Sequence, residues 1–133
     1  MTSSQGRYRV LIVDDEAAVT AYVDRVLRAA GYDTTVAHGG ESALTAATGS
    51  EPYDLLLTDL LMPGMSGDEL ARALQHQQPD LKVLYLTGYS DQLFKERGYL
   101  GANEAFLDKP ASGEALRQAV SLALFGRIKE LPH

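Results

Sequence analysis

The strongest indication of how this chain folds is a short apolar run that leads directly to an acidic residue. The three leucines at 55–57 precede Thr58 and Asp59, and helix-forming residues resume at 67–74 after a Met-Pro-Gly turn. An unbroken run of this length, bounded by turn signals, is typical of a strand buried on both faces, as parallel strands covered by helices are. Asp59 would then lie where the strand surfaces. Ligands of open α/β sheets bind outside the carboxyl ends of the strands, so this acid is a candidate for chemistry.

Four further strand-like stretches alternate with helical patterns. Runs rich in apolar or β-branched residues predict strands at 8–13, 32–37, 82–87 and 103–107. Apolar residues at helical spacing, with capping and breaking residues at the ends, predict helices at 16–30, 41–48, 67–77 and from Ser112 to about Lys129, and a weak helix at 91–97. Because parallel neighbours need crossover connections, this alternation predicts a parallel sheet with helices on both faces.

Composition and charge exclude several classes of protein. A chain of 133 residues that is 45% hydrophobic suits one compact domain, here at 9–129, between a disordered leader at 1–8 and a tail at 130–133. The net charge of −6 opposes direct nucleic-acid binding, which needs clustered Lys and Arg. With no cysteine, there is neither a disulfide framework nor thiolate chemistry. Short apolar runs and a start unlike a signal peptide predict a cytoplasmic protein without membrane contact.

Polar side chains follow four of the predicted strands. Asp14 and Asp15 end the first strand and Asp59 ends the third. Thr87 ends the fourth strand, and Lys109 follows the fifth. Because the carboxyl ends of parallel strands lie at the same edge, all of these residues are expected at one edge of the sheet. If the strand order is 2-1-3-4-5, which is borrowed from known doubly wound sheets, the first and third strands are neighbours and their three carboxylates meet.

Three carboxylates at one edge need positive charge. Two of them about 4 Å apart repel by roughly 4 kcal/mol at an effective dielectric constant near 20, so the group must bind a cation or take up protons. Lys109 supplies one positive charge. The remaining deficit suits a divalent ion that prefers oxygen ligands, such as Mg²⁺, for which Mn²⁺ can substitute.

An ammonium group, a hydroxyl and Mg²⁺ around one carboxylate are equipped for phosphoryl transfer. Asp59 would be the nucleophile and would form an acyl phosphate. Lys109 and the metal would neutralise charge on the phosphoryl group, and the hydroxyl of Thr87 would donate to one of its oxygens.

Taken singly, each of these residues has a simpler structural explanation. Asp14 or Asp15 could cap the first helix, and Asp59 could form a turn. Thr87 alone is an ordinary strand residue, and Lys109 alone is a solvated loop lysine. Their joint occurrence at successive strand ends favours a shared site.

Four motifs resemble the receiver domain of two-component response regulators. They are VLIVDDE at 10–16, TDLLMPGMSG at 58–67, LTG at 86–88 and GANEAFLDKP at 101–110. The resemblance extends over about 9–128. It implies a flavodoxin-like (βα)5 three-layer sandwich, with a five-stranded parallel sheet in the order 2-1-3-4-5. It also implies a phosphoacceptor domain without a turnover substrate of its own.

The resemblance implies roles for the acidic residues. Asp59 would accept a phosphoryl group from a sensor histidine kinase or a histidine phosphotransfer protein. Asp15, Asp59 and the backbone carbonyl of Leu61 would hold Mg²⁺. Asp14 would act through a metal-coordinated water.

It implies roles for the remaining polar residues as well. Thr87 and Lys109 would sense the phosphoryl oxygens, and a cis peptide before Pro110 would aim the lysine inward. Thr87 and Phe106 would form the switch, although Phe106 lacks the hydroxyl that the family often has there. Leu61 and Tyr89 occupy positions where the family often has polar residues, and these bulky groups are expected to impede hydrolysis of the acyl phosphate.

The expected output surface is a face made by residues 91–100, the fifth strand and the last helix, which would bind a downstream protein. The chain would be a monomer or a weak, phosphorylation-dependent dimer. The run LYLTGYSD at 84–91 resembles receivers of hybrid histidine kinases, so a stand-alone regulator and an excised receiver both remain open.

Two other functions fit a strand-end aspartate less well. A haloacid-type phosphohydrolase needs a second Asp two residues after the first, where this chain has Leu61. A flavodoxin-like FMN carrier needs a phosphate-binding loop after the first strand, where the acids of DDEAAV at 14–19 would repel phosphate.

Overall fold

A single parallel sheet organises the part of the chain that the computed structural model describes, residues 7–88 and 103–126. The strands are β1 (Arg9–Val13), β2 (Asp33–Ala37), β3 (Leu55–Thr58), β4 (Lys82–Thr87) and β5 (Glu104–Asp108). The helices are α1 (Ala17–Ala29), α2 (Gly40–Thr48), α3 (Gly67–Gln77) and a C-terminal helix (Gly113–Phe125). The weak helix predicted at 91–97 lies outside the described residues, as do most of the predicted leader and all of the predicted tail.

The strand order is β2-β1-β3-β4-β5, as the sequence analysis predicted. Every pair of neighbours is parallel, and the register of the central pair places Val13 opposite Thr58. Asp14 and Asp59 therefore leave neighbouring strands at the same level. This one pairing fixes the geometry of the edge where the polar residues collect.

Helices cover both faces of the sheet and make two cores. All four residues of β3 are buried, which confirms the interpretation of the leucine run. One core lies between the sheet and α2 and α3, and it includes Leu56, Leu70 and Tyr85. The other lies beneath α1 and the C-terminal helix, and it includes Leu57 and Leu116. The three-layer arrangement is confirmed.

Helix ends follow local side-chain chemistry. Ser66 and Glu69 form a reciprocal capping box at the start of α3, immediately after the turn that follows β3. The C-terminal helix begins at an N-cap, Ser112, as predicted. The prediction that it runs to about Lys129 is wrong, because Gly126 adopts a left-handed conformation with φ of 71° and ends the helix at Phe125.

None of the helices in residues 7–88 and 103–126 combines the length and the apolar character that crossing a membrane requires.

Gly67 brings the start of α3 against the phosphoacceptor candidate. Its amide donates to the carbonyl of Leu60 at 2.8 Å, and a Cβ at this position would overlap the carbonyl oxygen of Asp59. A glycine is required here for space rather than for an unusual backbone angle. The loop between β3 and α3 is thereby held close to the sheet.

Gly67→Ala is therefore expected to lower the free energy of unfolding by about 2 kcal/mol, since the added methyl group must push the Asp59 backbone aside. Urea unfolding measures this change. Gly49→Ala is the matched control, because nothing lies within 4 Å of a Cβ there. Equal stability of the two variants would contradict the close approach.

Candidate functional site

Three carboxylates meet where β1 and β3 end. The side chains of Asp14, Asp15 and Asp59 each place one oxygen within 4.8 Å of the others. The backbone continues the pairing of the two strands, since the amide of Asp59 donates to the carbonyl of Val13 at 3.0 Å. Asp14 and Asp59 are only 2% and 5% exposed, whereas Asp15 is open to solvent. The cluster is thus accessible from solvent through Asp15, while its other two carboxylates are buried.

Lys109 supplies the positive charge of the site. Its Nζ lies 2.7 Å from an Asp14 oxygen, 3.2 Å from a Glu16 oxygen and 3.5 Å from an Asp59 oxygen. The residue follows β5, its amide donates to the carbonyl of Thr87, and its peptide bond to the following proline is cis. Carboxylates that follow β1 and β3 therefore converge on one ammonium group, which follows β5.

The two buried carboxylates are held differently. Both oxygens of Asp14 are engaged, because Oδ1 accepts from the amide of Glu16 at 2.9 Å and Oδ2 accepts from Lys109. In Asp59, Oδ1 accepts from the amide of Leu60 at 2.8 Å, and Oδ2 faces Lys109 at the longer distance of 3.5 Å. Asp59 is accordingly the less tightly held of the two.

Burial and neighbouring charges both shift the pKa values of Asp14 and Lys109. Burial raises the pKa of the Asp14 carboxyl, and the nearby charge of Asp59 adds to this shift, although Lys109 opposes it. Burial alone would lower the pKa of Lys109, but its hydrogen bond to Asp14 and the surrounding carboxylates raise it instead. The lysine therefore stays charged, and the three acids carry more negative charge than it can balance.

The donor set fits a hard divalent cation. The side chains of the cluster offer carboxylate oxygens, with a surplus of negative charge and access from solvent. Mg²⁺ and Mn²⁺ prefer such oxygen ligands, and Mg²⁺ typically takes one or two carboxylates together with waters.

The structure also places three other predicted site residues, Thr87, Leu61 and Phe106. Thr87 is fully buried at the end of β4, two residues beyond Tyr85, which pairs with Thr58. Leu61 is 37% exposed two residues after the phosphoacceptor candidate. Phe106 is half-buried in β5 and packs against the core beneath α2 and α3. Tyr89 lies outside the described residues.

An apolar groove adjoins the acidic cluster. It has a volume of about 510 Å³ and runs between α1 and the loop after β5, where Val19, Tyr22 and Pro110 line it. Glu16 and Lys109 line it as well, so the groove is continuous with the charged site.

Two sets of contacts were not predicted from the sequence, one at this edge and one within the sheet. The contact between Glu16 and Lys109 joins residues 93 positions apart, although the acidic run at 14–16 marked the right segment. The hydroxyl of Tyr85 lies 3.2 Å from carboxylates of Asp68 and Glu104, and no local pattern identifies it, since Tyr85 sits in an otherwise ordinary apolar strand.

Comparison with known proteins agrees with this geometry. Residues 10–121 match the family model of the response regulator receiver domain. The response regulator receiver protein CpdR of Brucella abortus is 39% identical over 82 residues, which cover 62% of this chain and 68% of CpdR. The uncharacterized transcriptional regulatory protein YrkP of Bacillus subtilis is 33% identical over 113 residues, which cover 85% of this chain. The chain spans only 48% of YrkP.

A solved structure supports the same assignment. The receiver domain from the hybrid histidine kinase CckA superimposes with a TM-score of 0.74 at 32% identity, covering 87% of this chain and 98% of that one. With a family match over most of its length and this similarity of fold, the chain belongs to the receiver domain family of two-component response regulators.

Proposed function

We propose that Asp59 is the phosphoacceptor of this receiver domain and that its phosphorylation depends on Mg²⁺. The position of Lys109 supports this function, because its Nζ lies 2.7 Å from Asp14 and 3.5 Å from Asp59. This places a positive charge beside the less tightly held of the two buried carboxylates. A phosphoryl group that reaches Asp59 thus meets an ammonium group already in place.

The metal would be held by Asp15, Asp59 and the backbone carbonyl of Leu61, with Asp14 acting through a water. Support for the indirect role of Asp14 comes from its two oxygens, which already accept hydrogen bonds from a backbone amide and from Lys109. When bound, Mg²⁺ or Mn²⁺ would neutralise negative charge on the phosphoryl oxygens.

The chemical step is a displacement at phosphorus. One carboxylate oxygen of Asp59 forms a bond to phosphorus, and the bond between phosphorus and the donor's imidazole nitrogen breaks, leaving its electron pair on that nitrogen. Lys109 stabilises the charge that the phosphoryl oxygens carry, and the hydroxyl of Thr87 donates to one of them. The product is an acyl phosphate on Asp59, so the domain is modified and turns over no substrate of its own.

The donor is proposed to be a sensor histidine kinase or a histidine phosphotransfer protein. Receiver domains of response regulators interact with such kinases and with downstream targets. Glu16 and Lys109 line the apolar groove beside Tyr22 and Pro110, so a partner helix bound in it would lie next to the acidic cluster. A downstream protein would bind the face of residues 91–100, β5 and the C-terminal helix, of which residues 91–100 lie outside the described part.

Incubation with Mg²⁺ and a small acyl phosphate should add one phosphoryl group to the wild-type chain and none to Asp59→Asn, because the carboxylate nucleophile is gone. Intact mass measures the gain. Asp80→Asn, which changes an exposed acid away from the cluster, is the control and should still be modified. Modification of Asp59→Asn to the wild-type extent would overturn the assignment.

The acyl phosphate is expected to be long-lived because the exposed side chain of Leu61 impedes water at Asp59. Leu61→Asn should therefore speed release of phosphate by roughly tenfold, equivalent to about 1.4 kcal/mol in the barrier. A phosphate-release assay follows the decay. Leu122→Asn, a change at another exposed leucine, should leave the rate as it is. An unchanged rate in Leu61→Asn would refute the shielding role.

A further inference from the structure

The hydroxyl of Tyr85 lies between two carboxylates that belong to different elements. It is 3.2 Å from an oxygen of Asp68 in the first turn of α3 and 3.2 Å from an oxygen of Glu104 at the start of β5. A phenol has one hydrogen to donate. Fully formed hydrogen bonds from a hydroxyl to a carboxylate measure about 2.5–2.7 Å, so the hydrogen is shared and neither bond has its full strength.

One of the two acceptors is connected to Asp59 through the backbone. Asp68 follows Gly67, which packs directly against the carbonyl of Asp59 and whose amide donates to Leu60. The other oxygen of Asp68 is held by Arg72 at 3.0 Å on the same helix. A displacement of the Asp59 backbone therefore moves the first turn of α3, and Asp68 moves with it.

The other acceptor lies on the edge strand of the sheet. Glu104 and Phe106 are two residues apart in β5, so their side chains point to the same face. Phe106 is the register partner of Tyr85 and packs against the core that contains Tyr85. The tyrosine thus meets β5 through both its ring and its hydroxyl.

We propose that Tyr85 is a positioning residue that couples the loop carrying Asp59 to β5. In one arrangement its hydrogen is donated to Asp68, and in the other it is donated to Glu104. A small shift of α3 strengthens one bond at the expense of the other, and this moves the start of β5 together with Phe106. The proposal rests on phosphorylation of Asp59, which would supply the shift.

Tyr85→Phe tests the coupling because it removes the hydroxyl and keeps the ring. The readout is the change in the NMR amide shifts of residues 104–108 when the protein is treated with Mg²⁺ and a small acyl phosphate, with intact mass recorded on the same samples. Tyr32→Phe is the matched control, since Tyr32 is half-buried among residues of the other core and its hydroxyl is hydrogen-bonded to Ser121.

The expected result is that all three proteins gain one phosphoryl group, while Tyr85→Phe loses most of the β5 shift change and Tyr32→Phe keeps it. A full β5 response in Tyr85→Phe would overturn the coupling. A wild-type protein without a phosphoryl gain would overturn the phosphoacceptor function, and the coupling with it. Asp68→Asn, which weakens one acceptor without changing the core, should reduce the same response and preserves the test if Tyr85→Phe folds poorly.

Discussion

The contact of a single ammonium group with several carboxylates is the interaction on which the acidic edge of this sheet depends. Lys109 faces Asp14, Glu16 and Asp59 at distances from 2.7 to 3.5 Å. Two of these acids are buried, and without the lysine they would face each other with no counter-charge, which is strongly destabilising. The positive charge follows β5, whereas the acids follow β1 and β3. The site therefore forms only when β1, β3 and β5 are assembled in one sheet.

The buried carboxylates of this edge lower the free energy of unfolding. Burial raises the pKa of Asp14, which means that keeping this carboxyl ionised costs free energy in the folded chain. Asp15 adds a further negative charge to the cluster. A cation that binds only the folded chain would offset that cost by mass action. The surplus of negative charge that makes this edge unfavourable on its own is thus the feature that suits it to a divalent ion.

The sequence predicted those parts of the structure that have local signals. The leucine run at 55–57 marked a buried strand, and its position before Asp59 marked the edge where ligands of open α/β sheets bind. Gly67 gave no such signal, because its close approach to a carbonyl arises only when α3 folds back onto the sheet. Tyr85 resembles any other residue of an apolar strand until β5 and α3 bring carboxylates to its hydroxyl. The last helix was predicted to be too long, because the apolar spacing continues past Gly126 and the left-handed conformation of this glycine is not visible in the sequence.

Isothermal titration calorimetry with Mg²⁺ measures whether acids from two strands share one divalent ion beside Lys109. We expect one ion bound per chain, weaker binding in Asp15→Asn, and tighter binding in Lys109→Met because a competing positive charge is removed. Asp15 is exposed, so its substitution leaves the core intact. Absence of Mg²⁺ binding, or binding that Asp15→Asn does not change, would show that these acids do not share a divalent ion.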